Sequence, residues 1–166
     1  MGCSIRHATP DDAPIIHRFI YELAAFQGLA SHVEVSSERL RSQMEAISPP
    51  FECLLAEQDE EPVGFALFYP TYSTFTGRQG MHLVDLYVLP ELRQCGIGRT
   101  LFSVLVDIAR HRNYARIDWE VFRGNAQAER FYSALGAKRL DEWSSWRLNS
   151  ASIDAPKAEP CCLVKT

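Results

Sequence analysis

Leu86-Tyr87-Val88-Leu89-Pro90-Glu91-Leu92-Arg93-Gln94-Cys95-Gly96-Ile97-Gly98-Arg99 decides how this chain is read. An apolar, β-branched run ends at a proline, passes through an Arg-x-x-Gly-x-Gly turn and opens an amphipathic stretch. That order predicts strand, tight turn and helix. Successive backbone N–H groups at such a turn, together with the helix N-terminus, form a concave site for a phosphate or diphosphate. Glycine at positions 96 and 98 lets a ligand approach the backbone closely, and Arg93 and Arg99 add charge of the right sign. The pattern is not a P-loop, because no Gly-Lys-Ser/Thr follows. It is not a dinucleotide fingerprint either, because Leu101 stands where a third glycine belongs. By itself the turn also suits a ligand-free junction.

Working outward, Met81–Leu89 is the strongest strand signal in the chain. Simple alternation puts His82, Val84, Leu86 and Val88 on one face and Leu83, Asp85, Tyr87 and Leu89 on the other. A helix is expected from about Gly98 to Arg112, a strand over Ala115–Val121, and a helix capped by Asn125 that stops at Gly136. A final strand or hairpin is expected over Lys138–Leu148. Upstream, Ser4–His7 reads as a strand. Thr9-Pro10-Asp11-Asp12 opens a helix whose apolar face is Ile15, Ile16, Phe19, Ile20, Leu23 and Phe26. A short helix over Ser37–Ala46 and a hairpin of Cys53–Ala56 with Val63–Tyr69 follow. The alternation of helix and strand patterns points to α/β or α+β, with residues 1–148 as one domain. Residues 149–166 turn polar and small and read as a disordered tail.

The composition of the 166 residues, 46% hydrophobic and 23% charged, fits a globular domain with its own core. A net charge of −4 argues against a nucleic-acid partner. No apolar run is long enough to predict a membrane span, and neither end matches a signal peptide or a lipidation box. The five cysteines, Cys3, Cys53, Cys95, Cys161 and Cys162, show no metal-ligand spacing and read as reduced thiols in a cytoplasmic protein. No metal is expected.

Arg93-Gln94-Cys95-Gly96-Ile97-Gly98 resembles the Q/R-x-x-G-x-G/A acyl-CoA signature of the GNAT N-acetyltransferase superfamily. Asn125–Ala137, with its Asn…Phe-Tyr…Gly-Ala pattern, resembles the later segment of the same fold. Ile5–Thr9, Glu22–Ala24, Val63–Ala66, Tyr72, His82–Val88 and Trp146–Leu148 are similar to the diamine (spermidine/spermine) acetyltransferase branch. The likeness spans about residues 4 to 148.

The resemblance implies an α+β fold of the α/β/α type: a mixed, mostly antiparallel central sheet with a splayed strand pair, flanked by about four helices. It implies direct transfer of an acetyl group from acetyl-CoA to the primary amine of a small molecule. Main-chain groups of Leu86, Tyr87 and Val88 would meet the pantetheine arm. Arg93, Gln94, Cys95, Gly96, Ile97, Gly98 and Arg99 would hold the diphosphate, and Asn125 would touch the cofactor. Tyr132 matches the general acid that protonates the departing thiolate. The branch uses a glutamate where this chain has Val84, so His82, or solvent, is left to take the amine proton. The residues matching the acceptor groove are Phe26, Gln27, Ser73, Phe75, Val84, Asp85 and Ser144, several of them uncharged where the branch is acidic. The expected acceptor therefore carries one positive charge and some apolar surface, and is not a classical polyamine. A homodimer is expected from likeness alone, with Trp143 and Trp146 as core or interface aromatics. Acetylation of a protein or peptide N-terminus, and a catalytically silent CoA-binding sensor, remain competing readings.

Overall fold

The computed structural model describes residues 2–154. The chain forms two compact units that divide between Gly124 and Asn125. Cys161, Cys162 and most of the expected tail lie outside the described residues.

The first unit is built on a five-stranded sheet in sequential order. Its strands are β1 (Cys3–His7), β2 (Glu52–Gln58), β3 (Glu61–Ser73), β4 (Arg78–Val88) and β5 (Ile117–Trp119). All neighbours pair antiparallel except β4 and β5, which run parallel. The polar link after β2 closes as a tight hairpin, with Asp59 and Glu60 both at positive φ. Such a turn matches the twist of the strands it joins.

Helix α1 (Ala13–Phe26) begins one turn later than the sequence suggests, because Pro10–Asp12 forms a single 3-10 turn. Asp12 locks that entry. It accepts from the Thr9 N–H at 2.7 Å and from both terminal nitrogens of Arg6 at 2.7 and 2.8 Å. The Arg6 bond holds the Asp12 carboxyl down at about 2. α1 and the short α2 (Ser37–Met44) cover one face of the sheet, where Ile16, Phe19 and Leu40 pack with Cys53, Leu55, Phe65, Leu67 and Tyr87. The alternate residues Leu54, Ala56, Ala66 and Phe68 are buried on the other face. Helix α3 (Ile97–His111) packs on the sheet through its buried stripe of Ile97, Leu101, Phe102, Leu105 and Ala109.

One irregularity in β4 overturns the alternation read from the sequence. Leu67 pairs with Asp85 but its neighbour Phe68 pairs with Leu83, so Val84 is an extra residue in a β-bulge. Paired residues share a face, and the bulge reverses the parity of the strand across it. His82 therefore lies on the same face as Asp85 and Tyr87, the α1 face. Leu83 joins Leu86 and Val88 on the other.

Strand β5 is also shorter than the expected Ala115–Val121, because its only ladder is against Met81–Leu83. Among the described residues no helix is long and apolar enough to cross a membrane.

In the second unit, Asn125 caps α4 (Ala126–Ala134) by accepting from the Ala128 N–H at 3.1 Å. The helix ends at Gly136, whose φ of +85° is the left-handed conformation that helix ends favour. Lys138–Leu148 contains no strand, contrary to expectation. Trp143 and Trp146 are exposed rather than in a core, and Trp146 donates its indole N–H to Ser144. The expected tail opens with a short helix, α5 (Ser150–Asp154), begun by Asn149 accepting from the Ser152 N–H.

Candidate active site

The chemistry-bearing stretch sits where β4 loses one neighbour. β5 accompanies β4 only as far as Leu83, while β4 continues through Val84, Leu86, Tyr87 and Val88 along β3 alone. That leaves one edge of main-chain N–H and C=O groups beyond β5, and an extended ligand chain can add to such an edge as a strand would.

The same strand then feeds the glycine turn. Gln94 has φ of +65° and Gly96 of +89°. Gly96 is the N-cap of α3, and no side chain caps the helix. The first helical bond runs from the Thr100 N–H to the Gly96 carbonyl, so the amides of Ile97, Gly98 and Arg99 lie ahead of any intrahelical acceptor. A Cβ at Gly96 would meet nothing within 4 Å, so the turn is open on that side. Exposed Gln94, Cys95 and Arg99 surround them. The arrangement fits a diphosphate held by backbone dipoles.

Arg93 is placed differently from the rest of its motif. Its Nε donates to the Val88 carbonyl at 3.0 Å. Its guanidinium lies 4.8 Å from the Phe26 ring centroid and 5.5 Å from that of Tyr87. The side chain thus turns back along β4 toward the end of α1. Gln27 follows as the C-cap of α1, its N–H on the Leu23 and Ala24 carbonyls.

On the α1 face, Asp85 is half-buried, and burial pushes its carboxyl up to about 6. It accepts no hydrogen bond from the described residues, which distinguishes it from the paired Asp12 and Glu52. The His82 ring lies 5.0 Å from that of Tyr69, its cross-strand partner, in a tilted arrangement. Val84 at the bulge is 46% exposed. The bulge thus brings together His82 and Asp85, which simple alternation had separated.

Phe75 is not brought to this cluster. It sits in the β3–β4 turn, almost fully exposed. Six residue steps along β4 separate Arg78 from Val84, roughly 20 Å at the usual rise. Ser73, matched to the same groove, is buried. In the second unit, Tyr132 lies in the last turns of α4, half-buried, with its ring 5.0 Å from that of Phe131.

Glu22 is a member that sequence reasoning left without a role. It accepts from the Tyr87 hydroxyl at 3.0 Å and lies 3.6 Å from Arg18. Burial and this carboxylate push the Tyr87 phenol up to about 12. Nothing local in the sequence marks the pair, which exists only once α1 lies on β4.

With this geometry in view, the sequence profile of the acetyltransferase (GNAT) family matches residues 18–137, on both sides of the division at Gly124. A thialysine N-epsilon-acetyltransferase of Caenorhabditis elegans is 35% identical over 149 residues, covering 88% of this chain and 91% of that one. An L-ornithine N5-acetyltransferase of Arabidopsis thaliana is 28% identical, covering 93% and 88%. Among solved structures, an integron cassette protein from the mobile metagenome of V. cholerae superposes with a TM-score of 0.77 at 22% identity, covering 93% and 96%; that likeness speaks for the fold alone. The splayed strand edge, the glycine turn and the profile agree: this chain belongs to the acetyltransferase (GNAT) family and is an amine N-acetyltransferase.

Proposed function

We propose that the protein transfers the acetyl group of acetyl-CoA directly to the primary amine of a small, amino-acid-like molecule rather than a classical polyamine. The observation that carries this reading is the continuity of the open β4 edge with the uncapped start of α3. Main-chain groups at Leu86–Val88 hold the pantetheine arm, and the amides around Gly96–Arg99 hold the diphosphate. Acetyl-CoA supplies the activated thioester. Every other part of the step belongs to this chain.

Tyr132 is the general acid: its Oη gives a proton to the sulfur that leaves. A phenol with an ordinary value near 10 can serve a thiolate whose conjugate acid is near 8.5 only when held beside it. Asn125 contacts the cofactor through its amide nitrogen, since its oxygen is committed to the cap. The acceptor must be neutral to attack, yet an alkylamine is protonated at neutral pH. Val84 cannot take that proton, so the role falls to His82 at the α1 face. Asp85 on the same face attracts the incoming ammonium, and Phe26, Gln27 and Val84 line the acceptor side.

Two relatives whose names specify thialysine and ornithine support an amino-acid acceptor. So does the scarcity of carboxylates on the acceptor side, where a polyamine would need several. Purified protein titrated with CoA by calorimetry, then assayed by thiol release with spermidine, ornithine, a lysine analogue and an aralkylamine, tests the reading. CoA uptake with preferential turnover of the amino acids is expected, and efficient spermidine turnover would refute the acceptor assignment. CoA uptake without transfer to any amine would identify a sensor instead. Residues 1–148 are proposed to act as one catalytic domain of a cytoplasmic homodimer, which light scattering on the purified chain checks for its oligomeric part.

A further inference from the structure

Among the described residues, two cations of the first unit are fixed in position without an anion: Arg78, whose Nη2 is spent on Asn113 and on the Tyr114 carbonyl, and Arg93, whose terminal nitrogens are not. Arg6, half-buried like it, is held by Asp12 and Glu57. Arg41, Arg112 and Arg116 each meet a carboxylate. Arg93 has one hydrogen bond, from Nε to the Val88 carbonyl, and its guanidinium rests on the rings of Phe26 and Tyr87. Its terminal nitrogens Nη1 and Nη2 have no hydrogen-bond or ion-pair partner among the described residues. A guanidinium partly withdrawn from water, oriented by stacking and left without a counter-ion, gains more from an incoming oxyanion than a solvated one does. One N–H from each of these two terminal nitrogens suits the paired oxygens of a carboxylate.

The location selects which oxyanion. Phe26 is the last residue of α1, and Tyr87 is buried on the α1 face of the sheet. The amides suited to a diphosphate open α3, which contributes no residue to that α1-side core. On the α1 face, Asp85 precedes Tyr87 by one strand repeat, about 7 Å, and carries the opposite charge with no hydrogen-bond partner of its own. The other carboxylate beside Tyr87, Glu22, is occupied by the Tyr87 hydroxyl and Arg18, and Glu91 is exposed at the turn. One face of β4 therefore presents an anion and a cation on either side of Tyr87, the charge pattern of a zwitterion read in reverse.

We propose that Arg93 binds the α-carboxylate of the acceptor while Asp85 faces its ammonium, which makes the substrate an amino acid bearing a side-chain amine. This rests on the acetyl-transfer reading above and names the acceptor class of that same site. A polyamine would bring a second ammonium to Arg93 and meet a like charge there, so the one residue both selects the amino acid and rejects the diamine of equal length.

The test compares ornithine with putrescine, which has the same chain without the carboxylate, and with ornithine methyl ester. The proteins are the wild type, Arg93→Gln and Arg93→Lys, with thermal melts to establish folding. Wild-type kcat/KM for ornithine should exceed that for putrescine and for the ester by at least about tenfold, a comparison that needs no variant. Arg93→Gln should remove most of that preference through KM for ornithine, lowering kcat/KM for ornithine far more than that for putrescine. Arg93→Lys, which keeps the charge but not the fork, should fall between.

Equal loss on ornithine and putrescine, a raised KM for acetyl-CoA, or no wild-type preference for the free acid would overturn the proposal; the second result would assign Arg93 to the diphosphate. Calorimetric binding of ornithine to the CoA-loaded protein separates the two readings. Arg93-dependent binding without turnover would leave this proposal standing and defeat the catalytic one. Turnover of amines indifferent to the carboxylate would do the reverse.

Discussion

The Tyr87 hydroxyl donates to the Glu22 carboxylate at 3.0 Å and so pins α1 to β4. Beneath it the Tyr87 ring packs against Phe19 at 5.8 Å. Tyr87→Phe keeps the packing and removes the bond, leaving Glu22 with Arg18 as its partner. A loss of about 1 kcal/mol in a denaturant melt is expected. Because the Phe26 end of α1 borders the acceptor side, KM for the amine should rise more than KM for acetyl-CoA in the same variant.

Gly96→Ala tests the turn. The position has φ of +89°, which an alanine adopts at a cost of roughly 1–2 kcal/mol, although nothing crowds the new methyl. The methyl would stand beside the amides proposed to hold the diphosphate. An increase of at least about tenfold in KM for acetyl-CoA, worth about 1.4 kcal/mol, should accompany a small fall in Tm. A changed Tm with unaltered cofactor affinity would show that the glycine serves the backbone alone.

Asp85 makes a prediction in pH. Burial raises its carboxyl to about 6 from an ordinary value near 3.8, so the folded protein holds this proton more tightly than the unfolded chain. Stability from this group is therefore complete below about pH 3.8 and is lost as pH rises through about 6. Asp85→Asn abolishes the dependence. The variant should be more stable than wild type by about 1–2 kcal/mol at pH 8, with the difference closing near pH 4 in paired thermal melts. Amine turnover should fall in the same variant. A substitution that raises Tm and lowers activity marks a carboxylate kept for its chemistry.

Tyr132→Phe should lower kcat by about 10²-fold or more while leaving CoA binding unchanged by calorimetry. Equal activity of the two proteins would transfer the general-acid role to solvent.

Much of the fold was legible because its signals are local. Thr9-Pro10-Asp11-Asp12, the periodic face of α1, the Asn125 cap and the Gly96 turn each act within a few residues, and each element formed within a turn of its signal. What escaped depends on pairing. The Val84 bulge follows from the register of β4 against β3, so alternation put His82 and Asp85 on opposite faces. Three-residue β5 reflects how little of β4 it meets. Of the two places expected for Trp143 and Trp146, a core or an interface, their exposure removes the core. The site divides in the same way. The turn residues were readable as a motif, whereas the return of Arg93 onto Phe26, and the Glu22 anchor, arise only where distant segments pack.

The bulge has a consequence for how this protein can vary. β4 is in effect two half-strands of opposite parity joined at Val84, whose side chain is substantially exposed. Exchanging that side chain for another leaves both halves seated. Deleting the residue would force one half to roll over, driving His82 toward the α3 layer and Met81 and Leu83 out of it. Descent can therefore rewrite the letter at position 84, and with it the acceptor side, without disturbing the fold, as long as it never changes the number of letters in the strand.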